Sequence, residues 1–239
     1  MDKKIFDEFA EQYDSWFLKN RNVLDSEVAL LAHFLDRPLG RTISIGCGSG
    51  LFEKLLAQDY GIIIKEGVEP ADGMREIAIK RGMDVRKGTA ETIDLGQETY
   101  DIIIFNGTPS YIDDLVKAFK NAFYSLKAGG RLLVLDVPKE SSYGLLYTLG
   151  KTIGTWEHPY FEDAAPANVY PVEFVVTAKW RSTPEKADML QQVGFVNLQF
   201  AQTLTRHPVY SNLTKENPIE GYDCGDYVCI CAHKPSNSQ

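Results

Sequence analysis

The stretch Thr42-Ile43-Ser44-Ile45-Gly46-Cys47-Gly48-Ser49-Gly50 constrains this chain more than any other. A short β run ends in three alternate glycines, and Leu51, Phe52, Leu55 and Leu56 then resume a period of 3.6. Strand, glycine turn and helix in that order leave backbone N–H groups bare at a helix N-terminus, where the negative end of a ligand is favoured. Any tight strand-to-helix turn could use such glycines, so the turn alone leaves ligand binding and simple chain reversal both open.

The unit recurs along the chain. A β run over 62–68 ends at Glu69-Pro70, a helix follows over 73–80, and a brief strand over 84–87 comes next. Residues 100–105 read as a buried strand, 113–126 as a helix, and 131–137 as a second buried strand after the turn Lys127-Ala128-Gly129-Gly130. Strands alternating with helices predict a mostly parallel sheet covered on both faces. Two helices are expected before the first strand, with a polar break around 19–25. Thr183-Pro184-Glu185 opens a last helix that stops at Gly194, and 196–204 with 227–232 read as an antiparallel closing pair. Residues 138–180 break the rhythm. Tyr143, Tyr147, Trp156, Tyr160, Phe161 and Tyr170 fall there among Gly and Pro, as a pocket wall or as rings burying an inserted cap. The expected organisation is one domain over 1–239, with a helical cap at 1–37 and an inserted cap at 138–180 between the fifth and sixth strands.

Composition narrows the function. With 25 basic and 33 acidic residues the net charge is −8, and without a segregated basic patch such a surface repels nucleic acid. Apolar runs fall far short of the roughly 20 residues a spanning helix needs. The start lacks a secretory n-region and h-region, so a mature chain beginning near Met1 in the cytoplasm is expected. Cys47, Cys224, Cys229 and Cys231 are too few and too unevenly spread to staple the fold and read as reduced thiols. Cys229, Cys231 and His233 share one face of a strand, but their spacing matches no common zinc pattern and no metal is expected. Lys234–Gln239 reads as a frayed polar tail.

The dinucleotide fingerprint G-x-G-x-x-G would place its third glycine at Leu51, which disfavours NAD. Glu69 ends the next β run nineteen residues past Gly50, where a carboxylate can accept both hydroxyls of a ribose. Otherwise it is a solvated loop acid. Together with Phe9-Ala10, Tyr13-Asp14, Trp16-Phe17, Val68-Glu69-Pro70, Met74, Gly88-Thr89-Ala90-Glu91, Tyr100-Asp101-Ile102-Ile103 and Leu126–Leu132, these segments resemble the S-adenosylmethionine-dependent methyltransferases of the seven-stranded Rossmann-like class, near the ubiquinone and menaquinone biosynthesis branch. The resemblance covers residues 5–137. It implies a three-layer α/β sandwich with a mostly parallel seven-stranded sheet and an antiparallel C-terminal hairpin strand.

It also implies roles. Gly46, Gly48 and Gly50 would pass under the methionine part of S-adenosylmethionine, Glu69 would bind the ribose, Met74 would pack on the adenine, and Cys47 and Pro70 would also bind the cofactor. Thr89, Ala90 and Glu91 would edge that ring. Asn106 and Gly107 would border the sulfonium, with Tyr13 closing over the cofactor. Two positions depart from the family: Ser44 and Thr89 stand where an acid and an Asp are usual. Ser44 brings no charge to a cationic ligand. The implied activity is methyl transfer to a small, partly apolar acceptor; an NAD(P)-dependent oxidoreductase and a non-catalytic cofactor-binding protein acting through a partner are the alternatives. His158, His207, Tyr111 and Asp136 are the candidate catalytic side chains, although methyl transfer needs no dedicated base once donor and acceptor are aligned.

Overall fold

The computed structural model describes residues 3–236. Three helices lead in: α1 (Lys3–Glu8), α2 (Ala10–Lys19) and α3 (Arg21–His33). The breaks fall at Phe9 and Asn20, not across 19–25, so the lead-in has three helices where two are expected. Asn20 is the reason for the second break: its backbone N–H closes α2 on Trp16 and Phe17, and its side-chain amide donates to the Trp16 carbonyl at 2.9 Å. The polar residues 21–25 form the first turns of α3.

Then come β1 (Thr42–Ile45), α4 (Leu51–Tyr60), β2 (Glu66–Val68), α5 (Asp72–Lys80), β3 (Asp84–Arg86), β4 (Tyr100–Asn106), α6 (Leu115–Ser125) and β5 (Leu126–Asp136). The insertion holds α7 (Ser142–Ile153) and α8 (Val172–Thr177), and α9 (Thr183–Val193), β6 (Val196–Thr203), β7 (Ile219–Glu220) and β8 (Tyr227–His233) close the chain. The strands form one sheet in the order β3-β2-β1-β4-β5-β8-β6-β7. The first five run parallel, and β8 lies antiparallel between β5 and β6. The sheet therefore has eight strands among the described residues rather than the expected seven. The extra one is the two-residue β7, which pairs with Ala201 and Gln202 at the sheet edge and carries no periodic signal.

Alternation along the central strands builds two cores. Ile102, Ile104, Leu133 and Leu135 face α3 and α4, whereas Ile103, Phe105, Leu132 and Val134 face α6 and α9. Cys229 and Cys231 belong to the first core, and burial pushes both thiols up, Cys231 to about 11. They act as small apolar side chains. The glycine turn expected at 127–130 is a bulge inside β5: Tyr100 pairs with Leu126 but Ile102 already pairs with Arg131. β2 begins only at Glu66, although the Lys65 carbonyl already accepts the Asp84 N–H of β3 at 2.7 Å, so the strand is shorter than expected. A capping box starts α9, with Ser182 and Glu185 exchanging hydrogen bonds, and Gly194 ends it at φ +114°. Lys234 is tied down by its N–H to the Gly130 carbonyl at 2.8 Å, and the last three residues of the expected frayed tail lie outside the described residues. Among the described residues no helix is long and apolar enough to cross a membrane.

Candidate functional site

The C-terminal ends of β1, β2 and β4 converge where open α/β sheets place their ligands. The turn from β1 to α4 holds Gly46, Gly48 and Gly50 all at positive φ, for different reasons. A Cβ on Gly46 would lie 2.4 Å from the Thr108 methyl, and one on Gly50 would lie 2.6 Å from the Met83 sulfur. A Cβ on Gly48 would meet nothing within 4 Å. Two glycines therefore serve protein packing, and the third faces open space at the N-terminus of a ten-residue helix whose cap residue offers no side-chain acceptor.

Glu69 follows β2 directly and is only 4% exposed. One carboxylate oxygen accepts the Gly48 N–H and the other accepts the Ala71 N–H, both at 2.9 Å. Burial raises its pKa to about 7, against the pull of those two donors. It is not a solvated loop acid. Each oxygen keeps a second lone pair for a further donor, so the carboxylate links the glycine turn to whatever lies above it. Met74 is buried beneath the same cleft. Next to it, Pro70, Thr89, Ala90 and Glu91 line a cavity of about 320 Å³ that reaches Gly46 and Thr108. Asn121 fixes this wall by donating to the carbonyls of Ala90 and Ile93.

Cys47, Gly48, Asn106 and Tyr13 surround the other end of the turn, beside Ser44 and Glu53. Glu53 is buried with one oxygen unpartnered; burial pushes its pKa up, opposed first by a hydrogen bond from Ser44. A carboxyl thus stands next to the uncharged Ser44. Of the thirteen residues expected at a cofactor, only Gly50 does not line these adjoining cavities; it packs behind them. A nucleoside with a charged amino-acid tail fits the set: an open glycine, a carboxylate for hydroxyls, an apolar floor, and an acid at the far end.

A clasp holds α2 over this cleft. Asp14 accepts from the Ser49 hydroxyl and from Arg81, each at 2.5 Å, and Arg81 also donates to the Ser49 carbonyl and hydroxyl. Asp14 is read in the sequence only as part of the family pattern, and its partner lies 67 residues away. Asp14→Ala leaves two largely buried partners short of an acceptor, a loss of about 2–4 kcal/mol for charge-assisted bonds. Amide exchange over residues 10–19 should accelerate and S-adenosylhomocysteine should bind at least tenfold more weakly. Unchanged exchange in α2 would show that its apolar contacts suffice.

Behind Tyr13, Gly107 and Tyr111, which border both spaces, lies a narrow chamber of about 50 Å³. Trp16, Tyr147, Tyr170, Trp180 and Tyr227 wall it, with ring centroids 5.0 Å apart for Trp16–Tyr170 and 5.2 Å for Tyr147–Trp180. Two acids reach it, Glu27 from α3 and Asp136 from the end of β5. Asp136 accepts from the Ser110 hydroxyl at 2.7 Å and lies 3.5 Å from the Lys186 ammonium; burial raises its pKa against that cation. Trp180 Nε1 is buried without a hydrogen-bond partner, and burial pushes Tyr111 up against the opposing pull of the Tyr170 hydroxyl. His158 and His207 are elsewhere, each capping a short 3-10 turn through Nδ1. Of the aromatic residues noted in the insertion, Tyr147 and Tyr170 reach the chamber. Tyr143 is buried with its hydroxyl on Ser211, Trp156 and Phe161 border an outer groove, and Tyr160 is 70% exposed. Glu27, Trp180 and Tyr227 were not expected at the site. An acid on the same helical face as Leu24, Val28 and Leu31 was the available signal for Glu27.

Comparison with known proteins identifies the family. The crystal structure of a Thermotoga maritima SAM-dependent methyltransferase, described as a possible histamine N-methyltransferase, is 35% identical, superposes with a TM-score of 0.82, and is matched over 97% of this chain and 99% of its own. A Methanocaldococcus jannaschii protein of no stated activity is 29% identical over 96% of this chain and 98% of its own length. The trans-aconitate 2-methyltransferase of Rhizobium rhizogenes is 27% identical over 61% of this chain and 58% of its own. The model of the family described as "Methyltransferase domain" matches residues 17–199. With the glycine turn and the strand-end carboxylate in place, the chain belongs to the methyltransferase-domain family and is an S-adenosylmethionine-dependent methyltransferase.

Proposed function

We propose that the acceptor is a small, partly apolar molecule enclosed in the aromatic chamber, and that the cleft over Gly46–Gly50 holds S-adenosylmethionine. The observation that carries this is the common border at Tyr13, Gly107 and Tyr111, where two separately shaped spaces meet. In this arrangement Glu69 takes the ribose hydroxyls, Met74 with Thr89–Glu91 takes the adenine, and Glu53 supplies the charge missing at Ser44 to the cationic amino-acid end. Bound there, S-adenosylmethionine supplies the activated methyl group. The chain aligns the acceptor, and its aromatic walls exclude water. The regions 1–37 and 138–180 act as one cap, since the first contributes Tyr13, Trp16 and Glu27 and the second Tyr147 and Tyr170. We place the activity in the cytoplasm, where the four free cysteines stay reduced. That a relative is named for trans-aconitate, a small molecule, supports the acceptor size.

Methyl-labelled S-adenosylmethionine, incubated with the protein and a cell extract split by size, tests the proposal. Label should enter the fraction below a few kilodaltons. Label recovered in protein or RNA instead would assign a macromolecular acceptor.

A further inference from the structure

We propose that the acceptor is a basic amine, bound as its ammonium among the chamber's aromatic rings with the Glu27 carboxylate as its counter-charge. This inference rests on the enclosed small-acceptor site proposed above. Its first support is the chemistry of the wall. Tyr13, Trp16, Tyr147, Tyr170, Trp180 and Tyr227 line the chamber. Among the described residues lining it there is no lysine, arginine or histidine. Ring faces attract cations, and the attraction grows when water is excluded. A carboxylate or phosphate acceptor would find no positive partner there.

The second support is Glu27. It is 6% exposed, faces the chamber, and makes no hydrogen bond or ion pair among the described residues. The other acid of the chamber differs in kind. Asp136 already has Ser110, the Val137 N–H and Lys186. An acid left alone among aromatic rings is costly to keep, and a leucine would pack there without that cost. A bound cation removes the penalty. Burial raises the Glu27 pKa with no partner opposing it, and its charge is felt at Tyr13, Tyr147 and Tyr227. Such a carboxylate can also take the proton an ammonium sheds before its nitrogen is nucleophilic: an N–H bond breaks, its electron pair stays on nitrogen, and an O–H bond forms on Glu27.

The full-length protein is first titrated with S-adenosylhomocysteine; failure to bind would sink the cofactor site itself, separately from the acceptor class. With that ligand bound, ethylamine, benzylamine and 2-phenylethylamine are compared with the matched alcohols and carboxylates by calorimetry, and by label transfer from S-adenosylmethionine. At least one amine should bind and accept methyl 30-fold or more in preference to its alcohol, with the carboxylate excluded. Glu27→Gln should erase that preference while S-adenosylhomocysteine still binds, which shows that the variant is folded. If no amine binds, if alcohol and amine bind equally, or if Glu27→Gln keeps the preference, the proposal is overturned. It is equally overturned if the variant loses affinity for S-adenosylmethionine but not for S-adenosylhomocysteine, because Glu27 would then balance the sulfonium.

Discussion

Alanine at position 48 should reduce S-adenosylhomocysteine affinity at least a hundredfold and leave a folded protein, whereas alanine at position 46 should damage both binding and folding. Both glycines sit at positive φ, +56° and +68°, so either substitution carries about 1–2 kcal/mol of backbone strain. The surroundings separate them. The new methyl at 48 points into open space, while at 46 it overlaps Thr108, whose hydroxyl is engaged with the carbonyls of Ile45 and Gly46. Overpacking of that kind adds about 1–3 kcal/mol. At roughly 2–4 °C per kcal/mol for a domain of this size, Gly48→Ala should melt a few degrees lower and Gly46→Ala about twice as far down. Calorimetric titration and thermal melting of both variants decide the matter. Wild-type affinity in Gly48→Ala would mean that the open side of the turn is not where the cofactor lies.

The contrast between those glycines also shows where sequence reading stops. The turn, the strand-end carboxylate and the two-faced central strands are local facts. Spacing along a βα unit determines which end of the sheet Gly48 and Glu69 reach, and period-2 alternation sorts Ile102 from Ile103. The separate tasks of the glycines are not local, since they depend on Thr108 and Met83 arriving from other elements. The chamber is harder still to foresee. Tyr147 and Trp156 both read as apolar rings in one insertion, and only the docking of that insertion against α2 turns the first inward and leaves the second at an outer groove. The Asp14–Arg81 clasp joins helices far apart in the chain. Nor could β7 be seen, because two residues at an edge leave no periodicity to read.

Cofactor affinity should fall about tenfold for each pH unit below 7, while the stability of the ligand-free protein moves the opposite way. Glu69 titrates at about 7 in the folded chain, against an unfolded value near 4.5. Between those values the native state holds a proton that the unfolded state has released. Its contribution to stability is therefore full below pH 4.5 and is lost as pH rises through 7, a change of about 3 kcal/mol at 1.36 kcal/mol per unit. In the proposed pose the ribose hydroxyls donate to the carboxylate and favour the charged form, so binding at pH 6 would first expel the proton that pH 8 has already removed. Calorimetry at pH 6 in buffers of different ionisation enthalpy should show nearly one proton released per S-adenosylhomocysteine bound. Glu53, whose pKa burial also raises, is the competing source of such a signal. Glu69→Gln separates the two, because it should bind weakly at every pH and release no proton if Glu69 is the group. Proton release that survives in Glu69→Gln would move the linkage to Glu53 and the amino-acid end of the cofactor.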